Sequence, residues 1–470
     1  MADQTLAYQG FSADDFHRRV GLIGKGPMEN NITKLTTCQT GVIKLSPLDY
    51  PETSAWTPVL IPFENINHEE EFMPDAKMIA SLQQVIERVP IVTGQLERID
   101  GTPMDLNGPN SPLQVCIGKS SIWYTSTSIK GSFQEFKESG FNCEKLDSPF
   151  LFSAVNDAII RGDDYPLLAA KISRFNCGSV VLLVTACHLI VDARSIYELL
   201  KTWSMVYCGV PDAPLIQESR HLFTYDNELN EKSKSIRDMF ENMPKATQAP
   251  FKLTKILNAS IEDKKFKAFK QEINAKLVDG WVSSDDVMVC LGWRAFARAR
   301  CLDPTSMTTI ARIVDVRKLN QPPLPPHAFG NGVFGAVNGP LAASTLLDSP
   351  IHEICHQLRS RVAALTANEV RNIITACSKL ATVHHPPGGD ATPFSKNNFS
   401  SSYTSFHPEE INFQHSPALT VTRACYTEGI IAPQPIINGI YSCKMSIDST
   451  HADMLINDPD LNQIGFTILS

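Results

Sequence analysis

The chain has 470 residues, 43% of them hydrophobic and 20% charged, which is typical of a globular protein of two or three domains. Its net charge of −8 and the lack of a basic cluster argue against binding to nucleic acid or to an anionic membrane. The twelve cysteines lack metal-type spacing and are expected to be reduced thiols of a cytoplasmic protein, without a metal site. No apolar run approaches the length of a membrane span, and the N-terminus lacks an apolar signal core.

The first half of the chain alternates helix and strand patterns. The segment "PDAKMIASLQQVIERVP" places its apolar residues on one helical face, with Asp75 as the predicted N-cap and Pro90 as the stop. The apolar run "SVVLLVTACHLI" is typical of a buried central strand. Residues 193–207 then predict an amphipathic helix.

The second half begins after a polar, proline-marked stretch. We predict a first domain at 1–208, a crossover linker at 209–250 and a second domain at 251–470. The segment "KKFKAFKQEI" predicts a strand, and "SSDDVMVCLGWRAFARAR" a helix capped by Ser283 or Ser284. "TTIARIVDVRKLN", "ALTVTRACY" and "NGIYSCKMSID" follow strand patterns, so the class is mixed α/β.

Several motifs have an ordinary structural explanation. "FGNGVFG" places Gly330, Gly332 and Gly335 at G-x-G-x-x-G spacing, but a proline-rich turn precedes it and no helix pattern follows, which favours tight-turn glycines over a dinucleotide site. Cys187 adjoins His188, but neighbouring side chains on a strand point to opposite faces, so a Cys–His dyad is not expected. A Gly/Pro-rich loop carries three possible metal ligands, for which a solvated loop is the favoured interpretation: His384, His385 and Asp390.

The segment "HLIVD" joins the apolar run to the helix that follows. The simpler interpretation makes Asp192 the helix N-cap and His188 a polar residue at a strand end. In the alternative, a neutral imidazole faces a cleft and takes a proton from a hydroxyl. Asp192 would then hold the turn, through backbone bonds or by pairing with Arg317 of "VDVR". The residues alone leave both interpretations open.

Several segments together resemble the BAHD acyltransferases. "HLIVD" matches the family's H-x-x-x-D, and "LSPLDY" resembles its early L-S-x-L-D. "VSSDDVMVCLGWRAFARAR" resembles its S-s-x-D…W-R helix, and "DVRKLNQPPLPPHAFGNGV" its D-x-R…f-G-N segment. The matches follow the family order from about residue 45 to 335. The sequence is most similar to the fungal branch, which includes trichothecene 3-O-acetyltransferase.

The resemblance implies two chloramphenicol-acetyltransferase-like domains, each a mixed sheet with helices, joined by a crossover loop with a channel between them. It implies an acyl-CoA-dependent O-acyltransferase that transfers acetyl to a hydroxyl of a fungal secondary metabolite. His188 would be the general base, and Asp192 a structural partner of Arg317. Acetyl-CoA or another acyl-CoA would be a co-substrate near Ser283 and Ser284, with no permanently bound cofactor. A cytoplasmic monomer without nucleic-acid or membrane partners is expected.

Two departures from the family pattern stand out. Ala193 follows the aspartate where the family usually has glycine, and "NFQHSP" at 412–417 stands where D-F-G-W-G is expected. The second change leaves the donors to the oxyanion open, with three candidates just upstream: Ser401, Ser402 and Tyr403. Two alternatives follow. A condensation-type relative usually carries histidine where Cys187 stands, and a repurposed member would have lost acyl transfer altogether.

Overall fold

Two β-sheets with helices packed on them organise the chain. The computed structural model describes residues 32–49, 56–101, 113–146, 165–214, 216–241, 254–380, 397–424 and 428–470. Within these ranges no helix is both long enough and apolar enough to cross a membrane.

The elements of the first half lead up to the "HLIVD" segment. In chain order they are β1 (Thr33–Leu35), β2 (Gly41–Lys44), β3 (Trp56–Phe63), α1 (Asp75–Arg88), β4 (Gln95–Arg98), β5 (Leu113–Ile117), β6 (Ile122–Ser128), α2 (Phe133–Glu138), β7 (Leu168–Arg174), β8 (Val180–Cys187) and α3 (Ala193–Tyr207). The crossover stretch contains β9 (Gln217–Glu218) and α4 (Glu231–Glu241).

The second half adds a further sheet and its helices. In chain order they are β10 (Thr254–Glu262), α5 (Asp263–Ala275), α6 (Ser284–Ala299), β11 (Met307–Asp315), β12 (Ala328–Phe329), β13 (Val333–Ala342), α7 (Ala343–Asp348), α8 (Ile351–Ala363), α9 (Ala367–Cys377), β14 (Asn397–Ser400), β15 (Asn412–Phe413), β16 (Ser416–Pro417), β17 (Thr422–Arg423), β18 (Ile430–Pro433), β19 (Ile440–Asp448), α10 (Ala452–Ile456), α11 (Pro459–Ile464) and β20 (Thr467–Leu469).

The first large sheet places the "HLIVD" segment at the end of an inner strand. Its order is β1–β6–β7–β8–β3–β17, and β8 pairs antiparallel with both β3 and β7. All eight residues of β8 are buried, which explains its continuous apolar run. Helices α1 and α3 pack against each other, and the Trp203 indole N–H donates to the Ser81 hydroxyl at 2.9 Å.

The second large sheet has the order β13–β11–β14–β18–β19–β10–β20 and a hydrophobic core of its own. Helix α6 is almost entirely buried against it. A three-stranded sheet, β2–β5–β4, lies in the first half of the chain.

A strand from the second half joins the first sheet. β17, from the second half, pairs antiparallel with β3 at the edge of the first sheet, and β9 pairs in parallel with β12. The stretch predicted as a crossover linker, 209–250, also contains α4, which packs on α9. The limits 1–208, 209–250 and 251–470 stay a prediction, and β17 links the two halves directly.

Some predictions of local structure were wrong. "KKFKAFKQEI" forms helix α5 rather than a strand, because Phe266 and Ile273 recur at helical spacing and lie on its buried face. The N-cap of α1 is Pro74, and Asp75 is the first helical residue, whose carboxylate instead accepts from Arg174 at 2.6 Å. Among the described residues of "ALTVTRACY", 418–424, only β17 is a strand, whereas the helix at 193–207 is confirmed.

Candidate active site

The turn between β8 and α3 carries the predicted base. β8 ends at Cys187, and the N–H of Ile190 donates back to the Cys187 carbonyl at 3.0 Å. Leu189 and Ile190 are fully buried, whereas His188 is only partly buried. The strand end therefore presents a partly exposed imidazole at the margin of the core.

Asp192 caps helix α3 and binds to the second half of the chain. One carboxylate oxygen accepts from the Ser195 N–H at 2.9 Å, and the other from the Gly332 N–H at 2.9 Å. Arg317 Nη2 lies 3.0 and 2.9 Å from the two oxygens. Both oxygens of Asp192 thus accept hydrogen bonds, from the start of the helix and from partners in the second half of the chain.

The electrostatics of this pair keep both groups charged. Burial by itself would raise the pKa of the Asp192 carboxyl, but the Arg317 charge and the N–H groups of Gly332 and Ser195 outweigh it and hold that pKa below its usual range. Burial would lower the pKa of the Arg317 guanidinium, and Asp192 raises it instead. The result is a buried ion pair in which each charge depends on the other.

The "FGNG" segment packs directly on this ion pair. The Gly330 carbonyl accepts from Arg317 Nη2 at 2.7 Å and from the Ser195 hydroxyl at 2.8 Å. A Cβ at Gly332 would lie 2.7 Å from the Arg317 guanidinium carbon, so the position requires glycine. Gly332 therefore serves a close approach to the ion pair, whereas Gly330 has a φ of 131° and contributes its carbonyl.

A second buried ion pair, which the sequence did not reveal, holds the other end of the turn. Asp49 of "LSPLDY" accepts from Arg220 Nε at 2.8 Å, and Arg220 Nη2 donates to the Ile190 carbonyl. Asn331 Nδ2 donates to the His188 carbonyl at 2.7 Å and to Asp49 at 2.8 Å. The only sequence signal was the "LSPLDY" match, because Arg220 lay in the predicted linker.

Cys187 and His327 are two further reactive residue types near the 188–192 turn. Cys187 is fully buried, and burial raises the pKa of its thiol to about 12, so it is a core residue. His327 Nδ1 lies 2.9 Å from the buried Glu198 carboxylate on α3, and Glu198 also pairs with Arg194 at 2.6 Å. This histidine–glutamate pair is a second candidate base that the sequence did not single out.

The predicted coenzyme segment begins helix α6. The Ser283 hydroxyl accepts from the Asp286 N–H at 3.1 Å, and the Asp286 carboxylate accepts from the Ser283 N–H at 2.7 Å, forming a capping box. Asp286 also pairs with Arg312 at 2.5 Å. Ser283 is thus occupied in the cap, whereas Ser284 is the first residue of the helix.

The segment that replaces D-F-G-W-G forms a hairpin on the first core. β15 and β16 are joined by Gln414 and His415, with φ of 51° and 60°, as in the mirror-image turns that favour tight hairpins. Phe413 is fully buried, and its ring meets three others edge to face: those of Phe63, Trp203 and Tyr207. Gln414 accepts from the Met73 N–H at 2.8 Å. The altered segment is therefore firmly packed.

The remaining candidates are placed as follows. The Tyr403 ring is buried and contacts Phe406 edge to face, while Ser402 and Thr404 are joined through their hydroxyls at 2.8 Å. Ser401 directly follows β14. The loop with His384, His385 and Asp390 lies outside the described residues. In the described part of the chain, no three His, Cys, Asp or Glu side chains are grouped as a metal site would need.

Sequence comparisons give the chain its relatives. A family model described as Transferase family matches residues 29–406. Tryptamine benzoyltransferase 1 of Oryza sativa subsp. japonica is 24% identical over 229 residues, covering 44% of this chain and 48% of the relative. Acyltransferase uat1 of Mycosarcoma maydis is 24% identical over 205 residues, covering 37% and 39%. The chain thus spans about half the length, or less, of these curated relatives.

Solved structures extend the likeness to nearly the whole chain. TRI101 of F. sporotrichioides, complexed with coenzyme A and T-2, superposes with a TM-score of 0.71 at 14% identity, covering 92% of this chain and 100% of that one. Vinorine synthase gives 0.63 at 16% identity, covering 92% and 98%. At such low identity, a superposition shows only that the fold is shared. These superpositions confirm the predicted two-domain chloramphenicol-acetyltransferase-like architecture. Together with the family match over residues 29–406, this places the chain in the BAHD acyltransferase family.

Proposed function

We propose that this protein transfers an acetyl group from acetyl-CoA to a hydroxyl of a small molecule, with His188 as the general base. The observation that carries the proposal is the division of roles in the 188–192 turn. Asp192 is turned toward Arg317 and the second half of the chain, whereas His188 is partly exposed at the end of a fully buried strand.

The reaction needs only a base and two bound substrates. The His188 imidazole takes the proton of the acceptor hydroxyl, and the oxygen attacks the thioester carbonyl carbon. The resulting tetrahedral oxyanion expels CoA when the C–S bond breaks, and the proton passes from the imidazolium to the CoA sulfur. A positioned base contributes roughly 10²- to 10⁴-fold to such a rate, and holding both substrates together contributes further. No covalent acyl-enzyme is required.

Acetyl-CoA would bind as a co-substrate near the start of α6. Because the Ser283 hydroxyl is engaged in the cap, Ser284 is the better placed of the two to contact the coenzyme. The structural likeness to TRI101 complexed with coenzyme A supports the choice of donor.

A hydroxyl acceptor of secondary-metabolite type is the proposed second substrate. TRI101 has been solved with T-2 and with deoxynivalenol, which supports a small-molecule acceptor, proposed here as a terpenoid, alkaloid or polyketide. The relative named tryptamine benzoyltransferase 1 makes an amine the alternative to test, whereas the relative named omega-hydroxypalmitate O-feruloyl transferase supports a hydroxyl. A cytoplasmic monomer stays the predicted setting.

A condensation-type reaction is the alternative within the same fold. The condensation domain of MokA superposes with a TM-score of 0.50 at 10% identity, below the 0.71 of TRI101. Those domains usually carry a second histidine before the base, and here Cys187 is buried in the core. Both differences favour transfer from acyl-CoA to a free small molecule.

Purified protein incubated with acetyl-CoA and a panel of terpenoid, alkaloid and polyketide alcohols tests the proposal. We expect free CoA thiol to appear together with an acceptor whose mass has risen by one acetyl group. Matched amines in a parallel panel separate O- from N-acylation. Thiol release without any acylated acceptor, or products formed only with amines, would contradict the hydroxyl acceptor.

The second histidine supplies a matched control for the base. His188→Ala should abolish most transfer, whereas His327→Gln, which keeps a polar side chain beside Glu198, should retain it. The reverse result would assign the base to His327. Equal rates of transfer in both variants and the wild type would show that neither imidazole acts as the base.

A further inference from the structure

Two carbonyl groups of the 188–192 turn accept hydrogen bonds from side chains that are themselves bound to one buried aspartate. The His188 carbonyl accepts from Asn331, the Ile190 carbonyl accepts from Arg220, and both donors bind Asp49. We propose that Asp49, Arg220 and Asn331 form a clamp, the Asp49 clamp, that positions the His188 imidazole for proton transfer. This inference rests on the proposed function and adds three positioning residues to it.

Asp49 lies at the centre of the clamp. One of its oxygens accepts from Asn331 Nδ2 at 2.8 Å, and the other accepts from Arg220 Nε at 2.8 Å. The second oxygen also accepts from the Ser46 N–H at 2.7 Å, which fixes the carboxylate to its own turn. Asp49 and Asn331 are 0% exposed and Arg220 is 5% exposed. Each arm is thus a buried hydrogen bond from a donor that Asp49 holds in place.

The charges of the clamp are balanced inside the protein. Burial would lower the pKa of the Arg220 guanidinium, but Asp49 and Glu218 outweigh it and raise that pKa. Glu218 lies 2.5 Å from Arg220 Nη1 and retains some exposure. The donor to the Ile190 carbonyl is therefore a permanent cation, and charge-assisted bonds of this kind are stronger than neutral ones.

The clamp fixes the end of the turn that Asp192 does not reach. Asp192 anchors the start of α3 through Arg317, whereas the clamp fixes the peptide planes that follow His188 and Ile190. A peptide plane fixed beside the Cα sets the direction of the side chain. Since a displacement of about 1 Å in a catalytic group can lower a rate about 100-fold, the clamp affects the rate by positioning His188.

Asn331→Ala is the most informative variant. It removes the bond to the His188 carbonyl without leaving a buried charge unpaired, so the fold should persist. Arg220→Lys is a second variant, which keeps the charge opposite Asp49 but loses the planar fork that also reaches Ile190. Asn398→Ala is the matched control, because Asn398 is also buried and bonds an arginine, but it lies on β14.

The readout is kcat and KM for acetyl-CoA with the panel alcohol that gives the fastest thiol release, in wild-type and His188→Ala backgrounds. In the wild-type background, Asn331→Ala should lower kcat about 10- to 100-fold with KM changed less than about twofold. In the His188→Ala background it should cause no further loss, because the clamp acts through the imidazole. Arg220→Lys should behave alike, and Asn398→Ala should keep the kcat of its parent.

Three outcomes would overturn the inference. An unchanged kcat in Asn331→Ala and Arg220→Lys would show that the turn needs no clamp. An equal loss in both backgrounds, or in Asn398→Ala, would reduce the effect to general stability. If His188→Ala keeps full turnover, the proposed base itself is wrong and the clamp loses its role with it. The first two outcomes leave the proposed function intact, which separates the two failures.

Discussion

Helices α3 and α6 both begin at a polar cap, but the two starts are built differently. Asp192 at the start of α3 binds Gly332 and Arg317, which are 140 and 125 residues away. Ser283 at the start of α6 bonds with Asp286, three residues on, and Asp286 reaches Arg312 within the same half of the chain. A local capping box is enough to begin a helix. The long-range partners of Asp192 therefore indicate that it also anchors the 188–192 turn to the second half of the chain.

The largest expected effect on stability comes from breaking the ion pair between Asp192, at the start of α3, and Arg317. Asp192→Ala should lower the free energy of unfolding by about 3–5 kcal/mol, because Arg317 remains buried without its partner charge. Denaturant unfolding monitored by circular dichroism measures this change. Unchanged stability together with unchanged transfer would contradict the structural role of Asp192.

A methyl group at Gly332 should disturb the same start from the other side. Gly332→Ala places a Cβ 2.7 Å from the Arg317 guanidinium, and overpacking of this kind costs about 1–3 kcal/mol. Gly335→Ala, in the same motif, meets its nearest atom at 3.9 Å and should leave stability nearly unchanged. Thermal unfolding of the two variants side by side tests this prediction. Equal losses of stability would mean that the close approach at Gly332 is unimportant.

Removing the local cap of α6 should have a smaller effect on stability. Ser283→Ala removes the cap acceptor of α6 and should cost about 1 kcal/mol in unfolding free energy. Ser284→Ala should leave stability alone and raise KM for acetyl-CoA if the coenzyme contacts that hydroxyl. A Ser284→Ala variant with unchanged KM would remove Ser284 from the proposed coenzyme site.

Acid should also weaken the start of α3. The pKa of the Asp192 carboxyl is lower in the folded than in the unfolded protein, so its contribution to stability is complete above the unfolded-state pKa. That contribution is lost as pH falls from there through the folded-state pKa, because the unfolded chain binds the proton more readily. Unfolding free energies measured along this acid range should fall more steeply for the wild type than for Asp192→Asn. Parallel slopes would show that Asp192 does not titrate as the ion pair requires.

The sequence predicted those features whose partners lie close along the chain. Helix α3 was predicted with its observed bounds at 193–207, since its apolar residues recur at helical spacing. The prediction of a strand for "KKFKAFKQEI" is wrong, because Phe266 and Ile273 recur at helical spacing and Phe266 packs into the second core.

The site was predicted only in part for a related reason. The residues alone left the Asp192–Arg317 pair as one of two options, and the structure places Arg317 Nη2 2.9 Å from the Asp192 carboxylate. The Asp49–Arg220 pair spans 171 residues, and Arg220 stood in a polar stretch that reads as linker. No local pattern encodes such a pairing, because only the folded sheet brings the two residues together.

Acetyl transfer by His188→Ala, compared with the wild type at equal folded concentration, tests the central claim most directly. The division of the turn into a base and a structural aspartate predicts a loss of roughly 10²-fold or more in kcat, with unfolding free energy close to that of the wild type. Turnover within about twofold of the wild type would contradict the claim, since a positioned base is worth far more than that.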